Sequence, residues 1–166
     1  MAINLTTNVP DLEPLCKRIH LLLEGLVKAD LSLHVVAAHP NTDGKETGGA
    51  TYNKATKNLE IDITMTLARS LDEQDAVVLH EVSHALVDAW ESDRSIEIGI
   101  PRELVETLSG EFVADWFACR CGREAAIVRI REDRDESYRC CLRMWRNCQE
   151  FQSCVQRYFT RRIMAS

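Results

Sequence analysis

The stretch LHEVSHAL places His80 and His84 four residues apart, with Glu81 directly after the first. On a helix, positions i and i+4 share a face about one turn apart, so both imidazoles can aim at a single point. Neutral imidazole nitrogen is a good zinc ligand. A glutamate beside the first histidine can reach a water on the metal without ligating it, which is the mechanical content of His-Glu-x-x-His. A lone histidine on an apolar helix is usually a packed core residue. Two at ligand spacing, with an acid between them, point to metal-assisted hydrolysis.

Catalytic zinc takes three protein ligands and keeps a fourth position open, so the chain must supply one more. Trp90 stands where a third histidine would fall in one large subclass of such sites, and His20, His34 and His39 read as packing or surface residues. The segment GEFVADWFA offers Glu111 and Asp115, again four apart and on one helical face. Beyond His84 the first helix runs on for roughly 10 Å, and a return helix from Pro101 to Glu111 climbs about 15 Å. That can bring Glu111 level with the histidines. Asp115, one turn further, can then hydrogen-bond the free ring nitrogen of a ligand histidine, His80 above all. Asp88, Glu103 and Glu106 are rivals for the ligand role. Asp88 drifts about 40° off the histidine face and the other two have no comparable partner, so Glu111 is the expected third ligand.

These residues need elements to position them. Asp11 to Leu26 carries apolar residues at helical spacing, and LSLHVVA (Leu31 to Ala37) reads as a strand. Ala50 to Asn53 and Leu59 to Thr64 read as two strands of an antiparallel hairpin. Ser70 with Glu73 forms a capping box that starts the histidine helix, expected to run to about Trp90. A second helix is expected from Pro101 to about Cys121, with Gly122 as its stop. Helical stretches follow over Arg123 to Glu132 and Asp135 to Arg161. In the last, Tyr138, Cys141, Leu142, Trp145, Cys148, Phe151, Val155 and Phe159 trace one apolar stripe. The fold class is therefore α+β, with a small sheet of about three strands, an N-terminal helix, an active-site helix and a helical C-terminal half. One domain over 1–166 divides into helix plus sheet (1–69), metal-binding helices (70–122) and a helical extension (123–166).

The 166 residues suffice for one substantial core, and 45% apolar with 28% charged residues is ordinary for a globular chain. No apolar run is long enough for a membrane span, and the start MAINLTTNVPDLEP lacks the features of a secretion signal. The expected location is cytoplasmic, with reduced thiols. Of seven cysteines, six lie from Cys119 onward. They could build a second, structural zinc, but Cys141 and Cys148 fall on the apolar stripe, where a thiol acts as a small hydrophobe. One catalytic zinc is the expected cofactor, without a second ion. From Arg123 onward, ten arginines and six acids give about +4, leaving about −10 for the rest of a chain at −6. Arginines spaced along a helix usually form a solvated face, so direct nucleic-acid binding is not expected.

HEVSH followed by EFVADWFA resembles the pattern of the ImmA/IrrE metallopeptidases, a gluzincin-type family, and GATYNKATKNLEIDI is similar to the strand, turn and strand that precede its active helix. The resemblance spans roughly Leu31 to Ala118. Ser83 stands where that family often has glycine, and CRCGRE replaces its usual apolar continuation. The resemblance implies a minimal zincin-like domain with zinc on His80, His84 and Glu111 and with Glu81 as base. It further implies an intracellular endopeptidase whose protein substrates include helix-turn-helix transcriptional repressors. Ala50, Thr51 and Tyr52, if at the sheet edge, would hold an extended substrate by β-addition. Tyr52, Tyr138 and His39 remain open as the group that stabilises the oxyanion. The rival reading is an inactive zincin-fold scaffold that docks a partner through its Arg-rich C-terminal helix.

Overall fold

The computed structural model describes residues 3–38, 48–144 and 157. Its sheet is built around β2 (Leu31–Ala37), whose inward residues Leu33 and Val35 are almost fully buried. β1 (Ile3–Thr7) and β4 (Asn58–Ile61) flank it in parallel, and β3 (Ala50–Asn53) closes the row antiparallel to β4. The order β1-β2-β4-β3 makes a four-stranded mixed sheet in an α+β fold, rather than the expected three strands. The added strand is Ile3–Thr7, which forms by pairing Ile3 with Leu31 and Thr7 with Val35. Its five residues are too few and too polar to declare themselves without that partner.

α1 (Glu13–Leu23) follows a short 3-10 turn at Pro10–Leu12 and ends three residues before the expected Leu26, with Gly25 left-handed just beyond. β4 also stops early. Asp62 accepts from the Met65 backbone N–H at 2.8 Å and caps α2 (Ile63–Leu67). Capping therefore overrides the strand-like alternation that had extended to Thr64.

α3 (Leu71–Ser92) is the spine. Its capping box forms as the sequence indicates: Ser70 Oγ accepts from Glu73 N–H, and the Glu73 carboxylate accepts from Ser70 N–H at 3.2 Å. Every residue from Gln74 to His80 is buried, because α1, the edge strand β3 and the later helices pack around it. Asp75, 1% exposed, accepts from Arg18 of α1 and from Arg123, both at 3.0 Å, tying α1 and the segment after α5 to the start of α3.

The expected helix from Pro101 to Cys121 is two helices. α4 (Arg102–Thr107) ends where Leu108 turns extended, and Ser109 then caps α5 (Gly110–Ala118) by accepting from Phe112 N–H at 3.3 Å. A serine cap inside the apolar pattern restarts the helix, so Glu111 falls in a first turn rather than mid-helix. After a wider turn through Cys119–Arg123, Gly122 adopts φ +85° and α6 (Glu124–Ile130) begins. α7 (Glu136–Arg143) is capped by Asp135. Tyr138, Cys141 and Leu142 are buried as the apolar stripe requires. Its members Trp145, Cys148, Phe151, Val155 and Phe159 lie outside the described residues. One apolar core runs from Ile3 to Leu142, and no helix among the described residues is long and apolar enough to cross a membrane.

Candidate metal centre

α3 and α5 pack side by side, and their contact brings His80, His84 and Glu111 together. His80 Nε2 lies 3.2 Å from His84 Nε2. The Glu111 carboxylate straddles the pair, Oε2 at 3.3 Å from His80 Nε2 and Oε1 at 3.3 Å from His84 Nε2. For a tetrahedral ion with bonds of about 2.0–2.1 Å, neighbouring donor atoms stand roughly 3.3–3.4 Å apart. Each of these separations, one between the histidines and one from each histidine to its own Glu111 oxygen, is close to that spacing, and one ligand atom from each residue lies within 4.8 Å of the others. Two imidazole nitrogens at 3.2 Å also need something between their lone pairs, a proton or a cation. Among the described residues this is the group of histidine, cysteine and acid side chains that could hold a metal ion.

The burial is graded. The His80 side chain is 7% exposed, His84 28% and Glu111 62%, so the cluster is walled on the α3 side and open past Glu111. An open side is what separates a reactive metal site from a closed structural one. Hydrogen bonds to both histidines hold the Glu111 carboxyl well below the usual carboxylate range. Burial pulls the His80 imidazole down, but its bonds to Asp115 and Glu111 outweigh this and raise it to about 9.

Glu81 stands beside the cluster without joining it, Oε1 lying 3.9 Å from His80 Nε2. Its other oxygen accepts from the Tyr52 backbone N–H at 2.7 Å. Burial raises its carboxyl above the ordinary range, against the opposing pull of His80 and of that N–H. Asp115, fully buried, accepts from His80 Nδ1 at 2.7 Å, which leaves Nε2 facing the cluster. The rival ligands are engaged elsewhere. Asp88 is held by Tyr52, Lys54 and Lys57, Glu106 bonds Arg102 at 2.8 Å, and Glu103 is outside the cluster.

β3 is an edge strand whose described strand partner is β4 alone. Ala50 is buried, Thr51 exposed and Tyr52 half-buried. Both tyrosines considered for the oxyanion spend their hydroxyls away from the cluster, Tyr52 on Asp88 at 2.8 Å and Tyr138 on Asp115 at 2.5 Å. His39 lies outside the described residues. Burial and the Asp115 charge push the Tyr138 phenol up, so it keeps its proton and donates.

Arg131 had no place in the sequence reading. Its Nε reaches Asp115 Oδ2 at 2.9 Å and its Nη2 reaches Oδ1 at 3.0 Å. The signal available was arithmetic: a buried carboxylate needs donors for both oxygens, and one histidine supplies a single bond. Cys16, Cys119 and Cys121 are free thiols. Burial pushes the Cys16 thiol up to about 11 and the Cys121 thiol up to about 12. Four other described arginines of the C-terminal segment pair within the chain, Arg123 with Asp75, Arg129 with Glu73, and Arg139 and Arg143 with Glu136. Comparison with known proteins finds no matching family model, no matching curated protein and no matching solved structure.

Proposed function

We propose that this chain is a zinc-dependent endopeptidase, with zinc held by His80, His84 and Glu111 and with Glu81 as the general base. The observation that carries the reading is the Glu111 carboxylate set across two imidazole nitrogens 3.2 Å apart, one oxygen 3.3 Å from each, with an unligated, desolvated carboxylate beside them. Two imidazole nitrogens and a carboxylate form the donor set of a hydrolytic zinc site, and they already lie close enough together to share one ion. Bound there, zinc supplies a Lewis acid that polarises a scissile carbonyl and lowers the pKa of a water.

The remaining chemistry belongs to the chain's own residues. The Tyr52 N–H fixes one oxygen of Glu81, leaving Oε1 toward the cluster to take a proton from water and return it to the leaving amine. A carboxyl raised by burial is suited to both halves of that transfer. Asp115 holds the His80 ring with Nε2 toward the metal position. The free edge of β3 at Ala50, Thr51 and Tyr52 accepts an extended peptide alongside the site.

The ImmA/IrrE-like pattern of HEVSH and EFVADWFA extends this to an intracellular enzyme on a zincin-like domain, cutting a specific protein such as a helix-turn-helix repressor. The scaffold alternative needs the Arg-rich helix, of which Arg139 and Arg143 pair with Glu136, while Arg146, Arg161 and Arg162 lie outside the described residues. The test is a pair of variants. Glu81→Gln should retain about one zinc and lose cleavage, and used as bait in its native cell it should retain the substrate. His84→Ala should lose the metal. Unimpaired cleavage by Glu81→Gln, or a carefully prepared chain with no zinc, removes the mechanism.

A further inference from the structure

Asp115 is fully buried and yet accepts four hydrogen bonds. Oδ1 takes His80 Nδ1 at 2.7 Å and Arg131 Nη2 at 3.0 Å; Oδ2 takes Arg131 Nε at 2.9 Å and Tyr138 Oη at 2.5 Å. Three of the four come from the segment after α6 and from α7, beyond both motifs that define the metal cluster. We propose that Arg131 and Tyr138 are positioning residues of the metal centre: they lock the plane of the Asp115 carboxylate so that Oδ1 holds His80 with Nε2 toward the ion. The proposal rests on the metal reading above.

The physical reason is rotational. A carboxylate bonded only to His80 can turn about its terminal torsion, which is broad and roughly two-fold, and the imidazole turns with it. The planar Arg131 fork engages both oxygens at once and fixes that plane. Tyr138 fills the last acceptor position on Oδ2. Its ring packs edge-on against Phe112 at 5.3 Å, next in sequence to the ligand Glu111. Asp135 sets Tyr138 in turn by accepting its backbone N–H at 2.8 Å. A continuous chain of contacts therefore runs from the cap of α7 through Tyr138 and Asp115 to His80. Arg129, two residues before Arg131, meets Glu73 at 3.5 Å with its side chain half exposed and touches none of this.

The experiment uses the full chain and two probes, zinc by chelator competition and cobalt(II) by its visible absorption. Arg131→Gln and Tyr138→Phe should each weaken zinc by roughly tenfold, the low end for partners behind a ligand histidine, and should alter the cobalt bands. Arg129→Gln should change neither. Arg131→Lys keeps the charge but not the fork, and should recover only part of the loss. In an Asp115→Ala background, Arg131→Gln should cost far less than in the unaltered chain, because both oxygens its fork engages are gone. Tyr138→Phe leaves Asp115 paired with Arg131, so it keeps the test valid if Arg131→Gln does not fold. Folded variants that bind zinc within twofold of the unaltered chain, with the same cobalt spectrum, overturn the proposal. Full additivity with Asp115→Ala also overturns it. An unaltered chain that binds neither metal instead overturns the metal reading and this proposal with it.

Discussion

The backbone N–H of Tyr52 donates to Glu81 Oε2 across 2.7 Å, so the sheet edge and the histidine helix α3 meet at the proposed base. The Tyr52 hydroxyl meets the same helix two turns on, at Asp88. One residue thus makes two separable contacts, one through its backbone and one through its side chain.

Substitution can separate them. Tyr52→Pro deletes the N–H together with the phenol, at an edge position where proline is tolerated, and should leave zinc bound while cleavage falls by roughly tenfold or more. Tyr52→Phe deletes only the hydroxyl and should cost about 1 kcal/mol of stability with cleavage nearly unchanged. Metal content, steady-state kinetics and urea unfolding of both variants check this. Equal cleavage by the two would assign no role to the N–H.

On the proposed zinc reading, the metal competes with a proton for His80. Without metal, its partners Asp115 and Glu111 outweigh burial and raise the imidazole to about 9, so at pH 7 it holds its proton. Binding zinc must therefore release close to one proton at pH 7, and affinity should rise roughly tenfold per pH unit up to about pH 9. The sign for folding is opposite. A raised folded-state pKa stabilises the metal-free chain fully below the ordinary 6.5, and that contribution is lost as pH rises through about 9. Calorimetry in buffers of different ionisation heat measures the proton, and melting of the metal-free chain from pH 6 to 9 measures the stability. Binding without proton release contradicts the assignment.

The histidine helix was readable because its information is local: Ser70, Glu73, His80, Glu81 and His84 all act within one element whose period places them. Glu111 and Asp115 were readable for the same reason, although the helix carrying them restarts at Ser109. What escaped depends on contacts distant in sequence. Ile3–Thr7 is a strand only against Leu31–Val35, and the alternation through Ile63 lost to the Asp62 cap. Tyr138 was read as part of an apolar stripe and is buried there, but its hydroxyl has a partner 23 residues away. Periodicity reports which face a residue occupies, not which polar atom it will satisfy.

Two left-handed glycines separate backbone strain from steric clash. At Gly99, φ is +72° and an added Cβ would stand 2.6 Å from the Leu26 carbonyl oxygen; at Gly25, φ is +77° with nothing within 4 Å. Gly25→Ala should cost about 1–2 kcal/mol, the left-handed penalty alone. Gly99→Ala should cost more, about 2–4 kcal/mol, because backbone must also shift. Urea unfolding of the two variants checks the order, and equal losses would show that the Leu26 contact yields freely.

Asp88 gives the acid side of the stability profile. Burial pushes its carboxyl up, but hydrogen bonds from Lys57, Lys54 and Tyr52 outweigh that and bring it down to about 2, from 3.8. A depressed folded-state pKa means the contribution is complete above the unfolded value and is lost as pH falls through about 2. The Asp88 side chain is 8% exposed, whereas those of Lys54 and Lys57 are 68% and 57% exposed, so solvent screens the pairs. That reduces the expected worth to about 1–2 kcal/mol at pH 7. Asp88→Asn should lose this amount at pH 7 and about half of it at pH 3. It should leave zinc affinity unchanged, since Asp88 lies outside the donor cluster. Urea unfolding at the two pH values, with zinc titration at pH 7, measures both. A penalty that stays constant down to pH 3 would mean that the carboxylate charge contributes nothing and only the shape of the side chain matters.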